Sequence, residues 1–380
     1  MSDRIIISSA IFSRILIFLC ILFYFLVLSD FKLFTWVFTH WDASYYLGIA
    51  QYWYPPFLHP NWAFLPFFPS ILRIFFLITR NLLFTEVFGL IFNACIFVLS
   101  LHVLHNLAQS RNKTKKYNYI VSAFFPTTVF CSFIYTESLF LLLVLLTFLF
   151  FIQEKYKKSL ISSFLAGFTR PNGVFLSIIY LYARKPLKEK ILMFIIPFLP
   201  LLLFNVYGYI LTGVFPVTEI SRMTFWPDNH PVSLHSKLQH AIYSLHIVFF
   251  QLFICVFSIQ RNIYLIIVNS YLLIFTTFVL ILAIKSINLE NLKRMLTFSP
   301  QTPKRTIVTC NAIIILVSFA LSLIYGNPYS ILRYLLPFTL VAIVHQKPIK
   351  KIAFVVIIFA ETIFLILLAI IYLDGHIFIG

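Results

Sequence analysis

Charge is scarce in this sequence: Asp, Glu, Lys and Arg together make up 11% of its 380 residues. An ordinary soluble domain carries about 25% charged and about 45–50% apolar residues. Here the AVILMFWYC set reaches 61% and the mean hydropathy is +0.95. Such a chain cannot cover a soluble surface, and intrinsic disorder, which needs high charge and low hydrophobicity, is excluded with it. Glycine is also scarce, at 9 residues, too few for a collagen-like repeat. The 5 cysteines (Cys20, Cys95, Cys131, Cys255, Cys310) are odd in number, far apart and set in apolar runs. They exclude a disulfide framework and leave no CxxC pair for zinc or redox chemistry. HExxH, GxSxG and Walker sequences are missing too, so zinc hydrolysis, serine hydrolysis and nucleotide-driven transport lack their parts. What is present is apolar length, and the composition reads as an all-α polytopic membrane protein.

The small charge complement is lopsided. Lys and Arg number 29 against 12 acidic residues, a net charge of +17 with a pI near 9.7. The basic residues fall in short clusters between apolar runs: 111–116, 155–158, 184–190, 293–305 and 347–351. That is the positive-inside pattern, which holds Lys and Arg on the cytoplasmic side. A nucleic-acid partner is not expected, because no soluble module carries the clusters. Arg4 and Arg14 lead into an apolar run through Leu28. It is too long for a signal-peptide core and lacks a small-x-small cleavage site, so a retained first span is expected.

A helical span takes about 20 apolar residues. Spans are expected over 9–28, 82–107, 119–134, 138–152, 191–211, 263–284, 306–325, 331–345 and 352–373. The stretch 159–181 is interrupted by Arg170-Pro171-Asn172-Gly173 and reads as a re-entrant hairpin, since broken backbone at membrane depth is tolerated where it lines a polar cavity. The stretch 241–258 reads as partly interfacial. The expectation is a single membrane-embedded domain over 1–380 with about nine to twelve transmembrane or re-entrant helices, by segment length. Two loops, 30–69 and 212–240, break the apolar pattern. The charge rule places both on the non-cytoplasmic face, and the aromatic content of the first suits short helices lying on the bilayer.

Only a few ionisable residues in this frame can carry chemistry. Asp42 stands among His40, Trp41, Tyr45 and Tyr46 just beyond the first span. It reads either as a helix N-cap or as a partly desolvated carboxylate, which is a better proton acceptor. Glu137 sits at a hairpin between two spans, where an ionisable residue is expensive and usually faces a cavity; a structural bond to nearby backbone serves equally well. Arg170 and Arg333 are candidates for phosphate, whose oxygens a guanidinium matches bidentately, with snorkelling as the plain alternative. Glu86 and Glu361 lie in apolar runs and are expected to be structural. His102 and His105 share a helix face but have no third ligand, so no metal site is expected.

The block from His40-Trp41-Asp42-Ala43-Ser44-Tyr45-Tyr46 through Gln51 to Tyr54 resembles the first loop of the PIG-V family, the mannosyltransferases that add the second mannose to the glycosylphosphatidylinositol (GPI) anchor precursor. Three later elements resemble that family in the same order: Ala63-Phe64-Leu65-Pro66-Phe67-Phe68-Pro69, Tyr135-Thr136-Glu137-Ser138-Leu139-Phe140 and Arg170-Pro171-Asn172-Gly173. Leu65 and Pro171 depart from the usual residues. Thr212-Gly213 followed by Trp226, and Arg333-Tyr334-Leu335-Leu336, are weaker echoes. The resemblance is good to about Gly173 and thin beyond it.

The resemblance implies a GT-C-type glycosyltransferase of the endoplasmic reticulum membrane with its active site on the lumenal face. Its donor would be dolichyl-phosphate mannose and its acceptor the mono-mannosylated GPI precursor lipid, joined through an α-1,6 link with inversion. Asp42 would be the catalytic base. Arg170 and Arg333 would hold the donor phosphate, and Glu137 and Asn172 would shape the sugar pocket, with His40, Trp41, Gln51 and Tyr334 also substrate-binding. No metal or other cofactor is implied, and a small accessory membrane subunit is an expected kind of partner. One base suffices for such a transfer, because the leaving phosphate is a weak base. The rivals are a related GT-C enzyme with another polyprenyl-phosphate sugar or acceptor, a transporter, which would bury ionisable residues in several spans, and a non-catalytic assembly subunit.

Overall fold

A computed structural model describes residues 2–27, 40–108, 116–226, 234–249, 263–287, 303–325, 331–346 and 349–374. Most of the basic clusters at 111–116 and 293–305 lie outside these residues, as do parts of both loops and of 241–258. The described residues are all-helical. Among them, six helical stretches are long and apolar enough to cross a membrane. A seventh counts if Pro126–Ser132 and Glu137–Ile152, bent by 109°, form one span, and three shorter apolar helices accompany them. The protein is a polytopic helical membrane protein.

The long helices follow the apolar runs closely. They are α1 (Ser2–Val27), α4 (Leu82–Ala108), α12 (Ile263–Ser286), α13 (Pro303–Tyr325) and α15 (Lys351–Asp374). Between the first two come α2 (Asp42–Tyr52) and α3 (Phe67–Thr79) of the first loop. Then follow α5 (Lys116–Phe124), α6 (Glu137–Ile152), α7 (Tyr156–Thr169), α8 (Leu187–Ile195), α9 (Leu199–Thr212), α10 (Val217–Phe225) and α11 (Leu234–Phe249). The last short member, α14 (Ile331–His345), is buried along nearly its whole length.

The expected span over 119–134 is not one helix. After α5 the chain enters a 3₁₀ segment, Pro126–Ser132, and turns before α6 begins at Glu137. Pro126 brings no N–H and suits the first position of a helical segment, not its interior. Arg14, in the middle of α1, pins this segment: its Nη1 donates to the Thr128 carbonyl and, at 2.8 Å, to Ser132 Oγ, and its Nη2 donates to Thr128 Oγ1 at 2.8 Å. Asn93 of α4 fixes the turn that follows, its Nδ2 donating to the carbonyls of Phe133 at 2.5 Å and Tyr135 at 2.8 Å.

The interrupted stretch forms the expected hairpin of two short pieces. α7 ends at Thr169 because Arg170 precedes proline, whose ring disfavours helical backbone in the residue before it; Arg170 is extended, at φ −147° and ψ 145°. The chain then returns as a 3₁₀ helix, Pro171–Tyr182. Tyr180 of the returning 3₁₀ helix bonds Ser159 and Ser163 of α7, at 2.9 and 3.0 Å. Gly173 allows backbone to lie on backbone: a Cβ there would sit 2.6 Å from the Ala166 carbonyl carbon and from the Gly167 nitrogen.

The described parts of the two loops meet. Ser221 Oγ of α10 donates to the His59 carbonyl at 2.9 Å, and Arg222 Nη2 donates to the Ala63 carbonyl at 3.0 Å. Trp226 lies edge-on to Tyr45, with centroids 5.6 Å apart.

Candidate active site

Four ionised side chains from distant parts of the sequence form one buried chain of contacts. Arg333 joins two carboxylates, with Nη2 donating to Asp42 Oδ2 at 2.8 Å and Nε to Glu137 Oε1 at 2.8 Å. Arg170 Nη1 donates to the same Glu137 Oε1 at 2.6 Å. The side chains of Glu137, Arg333 and Arg170 are 1%, 3% and 10% exposed, whereas Asp42 keeps 25% of its side chain open. Two guanidiniums and two carboxylates cancel, which a site in a low-dielectric setting requires, since an unpaired buried charge costs several kcal/mol (about 3–5 when one partner is removed).

Local structure explains each placement. Asp42 is the first residue of α2 and Glu137 the first of α6, where the positive end of the helix dipole favours a negative charge. Asp42 is not an N-cap: Trp41 holds that position, and no side chain caps the helix. Trp41 has φ 54° and ψ −135°, and Trp53 at the other end has φ 67° and ψ −162°. Backbone of this kind is ordinarily left to glycine, and bulky residues held in it cluster at functional sites. Arg333 comes from the first turn of α14, and Pro337 lacks the N–H that would bond the Arg333 carbonyl in a regular helix. Neither arginine snorkels; both are committed inward.

Aromatic rings wall the cluster. The Arg333 guanidinium lies 4.8 Å from the Phe130 ring centroid and 4.7 Å from that of Tyr135, and Arg170 lies 5.1 Å from Tyr334. On the Asp42 side Tyr45 stacks on Phe64 at 4.8 Å, and Tyr46 reaches Thr136 Oγ1 at 3.5 Å. Burial and the Asp42 charge push both tyrosine hydroxyls up from their ordinary values, and partial burial pulls His40 down, so it stands as a neutral ring at pH 7. His40 packs edge-on to Trp41, with centroids 5.2 Å apart.

Of the residues read from the sequence, Asp42, Glu137, Arg170, Arg333 and Tyr334 come together, with His40 and Trp41 at the edge. Asn172 is half-buried beside Arg170 in the hairpin turn. Gln51 is not brought to the cluster: nine residues along α2 carry it about 13 Å from Asp42, and its carbonyl accepts from Arg73 at 3.3 Å. Phe130 and Tyr135 are ring partners of Arg333 that the sequence does not single out, although Tyr135 opens the hairpin element and Phe130 lies shortly before it. Arg14 was read as a basic flank, yet it is buried and supports the segment that carries Phe130. Among the described residues no three His, Cys, Asp or Glu side chains gather as a metal site.

The site uses residues of four sequence blocks. Over 149 residues the chain is 28% identical to GPI mannosyltransferase 2 of Schizosaccharomyces pombe. The match covers 38% of this chain and 31% of that protein, so the aligned stretch spans about a third of the relative's length. No family model matches the chain, and no solved structure matches it.

The arrangement suits proton transfer beside a bound anion. A carboxylate open on one side can take a proton, and guanidiniums beside it can stabilise developing negative charge.

Proposed function

We propose that this chain is a mannosyltransferase of GPI-anchor assembly. It transfers the second mannose, in an α-1,6 link with inversion, from dolichyl-phosphate mannose to the mono-mannosylated glucosaminyl-phosphatidylinositol lipid. The observation that carries this reading is the contact chain Asp42–Arg333–Glu137–Arg170, which unites the first-loop, hairpin, Arg-Pro-Asn-Gly and Arg-Tyr blocks in one site. The similarity to a protein named GPI mannosyltransferase 2 supports it.

In this reading Asp42, the most open member, takes the proton from the attacking acceptor hydroxyl as the new glycosidic bond forms and the phosphate leaves. Arg170 spends one of its N–H donors on Glu137 and offers others of its fork to the donor phosphate, with Arg333 beside it. Asn172 contributes an amide at the hairpin turn. No metal or nucleotide enters the scheme. The site would face the lumen of the endoplasmic reticulum, and a small accessory membrane subunit would be compatible with it.

The test is mannose transfer from labelled dolichyl-phosphate mannose to the mono-mannosylated precursor in membranes, comparing wild type with Asp42→Asn at equal expression. Asn keeps an acceptor for Arg333 Nη2, so the protein should accumulate while transfer falls by about 10²-fold or more. Undiminished transfer by the variant removes Asp42 as the base. Absence of product from the wild type removes the proposed reaction.

A further inference from the structure

Glu137 uses its two oxygens unequally. Oε1 accepts from both Arg170 and Arg333, while Oε2 is buried and has no hydrogen-bond partner among the described residues. A buried carboxylate oxygen without a donor is costly, about 1–3 kcal/mol or more for a charged group, and in a native site it calls for an explanation. The rest of the carboxylate is held tightly, so Oε2 has a fixed position: two charge-assisted bonds fix Oε1, and Glu137 begins α6 directly after the turn that Asn93 holds.

The chemistry of the missing donor follows from charge. Two guanidiniums already face this one carboxylate. A third cation, whether an ammonium group or a metal ion, would enter against their repulsion. A neutral O–H donor meets no such penalty. It must also reach an oxygen in a side chain only 1% exposed; a trapped water meets both conditions, and so does a hydroxyl of a sugar whose phosphate the reading above sets beside Arg170 and Arg333.

We infer that Glu137 Oε2 accepts a hydrogen bond from one hydroxyl of the hexose being transferred and is therefore a specificity-determining contact for the donor sugar. This rests on the transferase reading above, and it adds to that reading the atom, the donor type and the consequence. A site built to bond a hydroxyl rejects an analogue lacking it, because its own buried group is then left unpaired. One of the four ring or exocyclic hydroxyls should therefore matter far more than the rest.

The experiment compares transfer efficiency, kcat/KM, for dolichyl-phosphate mannose and its 2-, 3-, 4- and 6-deoxy analogues in wild type and in Glu137→Gln. Each ratio is internal to one protein sample and does not depend on how much of it folds. Wild type should lose roughly 10- to 100-fold with one analogue, and that ratio should shrink towards unity in the variant. If Glu137→Gln does not accumulate, Glu137→Asp serves, since it keeps the charge beneath both arginines and draws the second oxygen back. Transfer from the natural donor with no outlying analogue, or with an outlier whose ratio the variant leaves unchanged, overturns the inference and leaves the transferase reading standing. No transfer from the natural donor by wild type overturns both.

Discussion

Arg333 Nη2 and Asp42 Oδ2 lie 2.8 Å apart although 291 positions separate them in the chain. Through Nε the same guanidinium also holds Glu137, so a single side chain binds the first loop to the hairpin. Arg333 is the keystone of the cluster, and its loss should be felt in stability as well as in activity.

Arg333→Met leaves Asp42 and Glu137 without a shared cation, and Glu137 is almost wholly buried. Breaking a buried ion pair from one side costs about 3–5 kcal/mol. Thermal unfolding of the detergent-purified protein should show a large drop in melting temperature. An unchanged melt would mean that the contact is peripheral to the fold.

Gly173→Ala should displace the hairpin, because its Cβ would meet Ala166 and Gly167 backbone at 2.6 Å, which cannot rotate away. Overpacking of this kind costs about 1–3 kcal/mol, and the shift is passed directly to Arg170. Gly48→Ala is the control: nothing lies within 4 Å of its added Cβ, and alanine is the better helix former by about 1 kcal/mol. The first variant should melt lower than wild type and the second no lower.

Arg14→Met removes the donors that hold Thr128 and Ser132. The buried acceptors left behind should cost about 1–3 kcal/mol, read as a lowered melting temperature. Arg14→Lys should recover only part of the loss, since an ammonium lacks the planar fork that reaches both residues.

Tyr45 and Trp226 join the two loops through their rings. A double-mutant cycle of Tyr45→Ala and Trp226→Ala should return a coupling of about 0.5–1.5 kcal/mol. Additive effects would mean that the Tyr45–Trp226 ring contact does not help to hold the loops together.

Much of this site was legible because its residues are exceptions to their surroundings. A carboxylate or guanidinium in so apolar a chain stands out, and Asp42, Glu137, Arg170 and Arg333 were found that way. The break at Arg170 was legible for a backbone reason, since a residue before proline leaves the helical region. Other features were hidden by the same apolar background. The run 119–134 has the length and hydropathy of a span, and periodicity cannot separate a helix from a 3₁₀ turn within it. Arg14 near a terminus looks like an orienting charge until its partners, more than 110 positions away, are known. Gln51 belongs to the same block as Asp42, but a motif records neighbours in sequence, and a helix of three turns carries its two ends apart.

The distribution of the four ionised residues along the chain bears on how the protein is made. Synthesis runs from the N-terminus, and early parts of a large chain organise before late ones. Glu137 and Arg170 are 33 positions apart and can pair while the hairpin is still the newest part of the nascent protein. Arg333 emerges 196 residues after Glu137 and brings the charge that balances Asp42. Asp42, the most open of the four, therefore has no partner in the cluster until then, and the candidate site closes only when α14, one of the last helices, is seated.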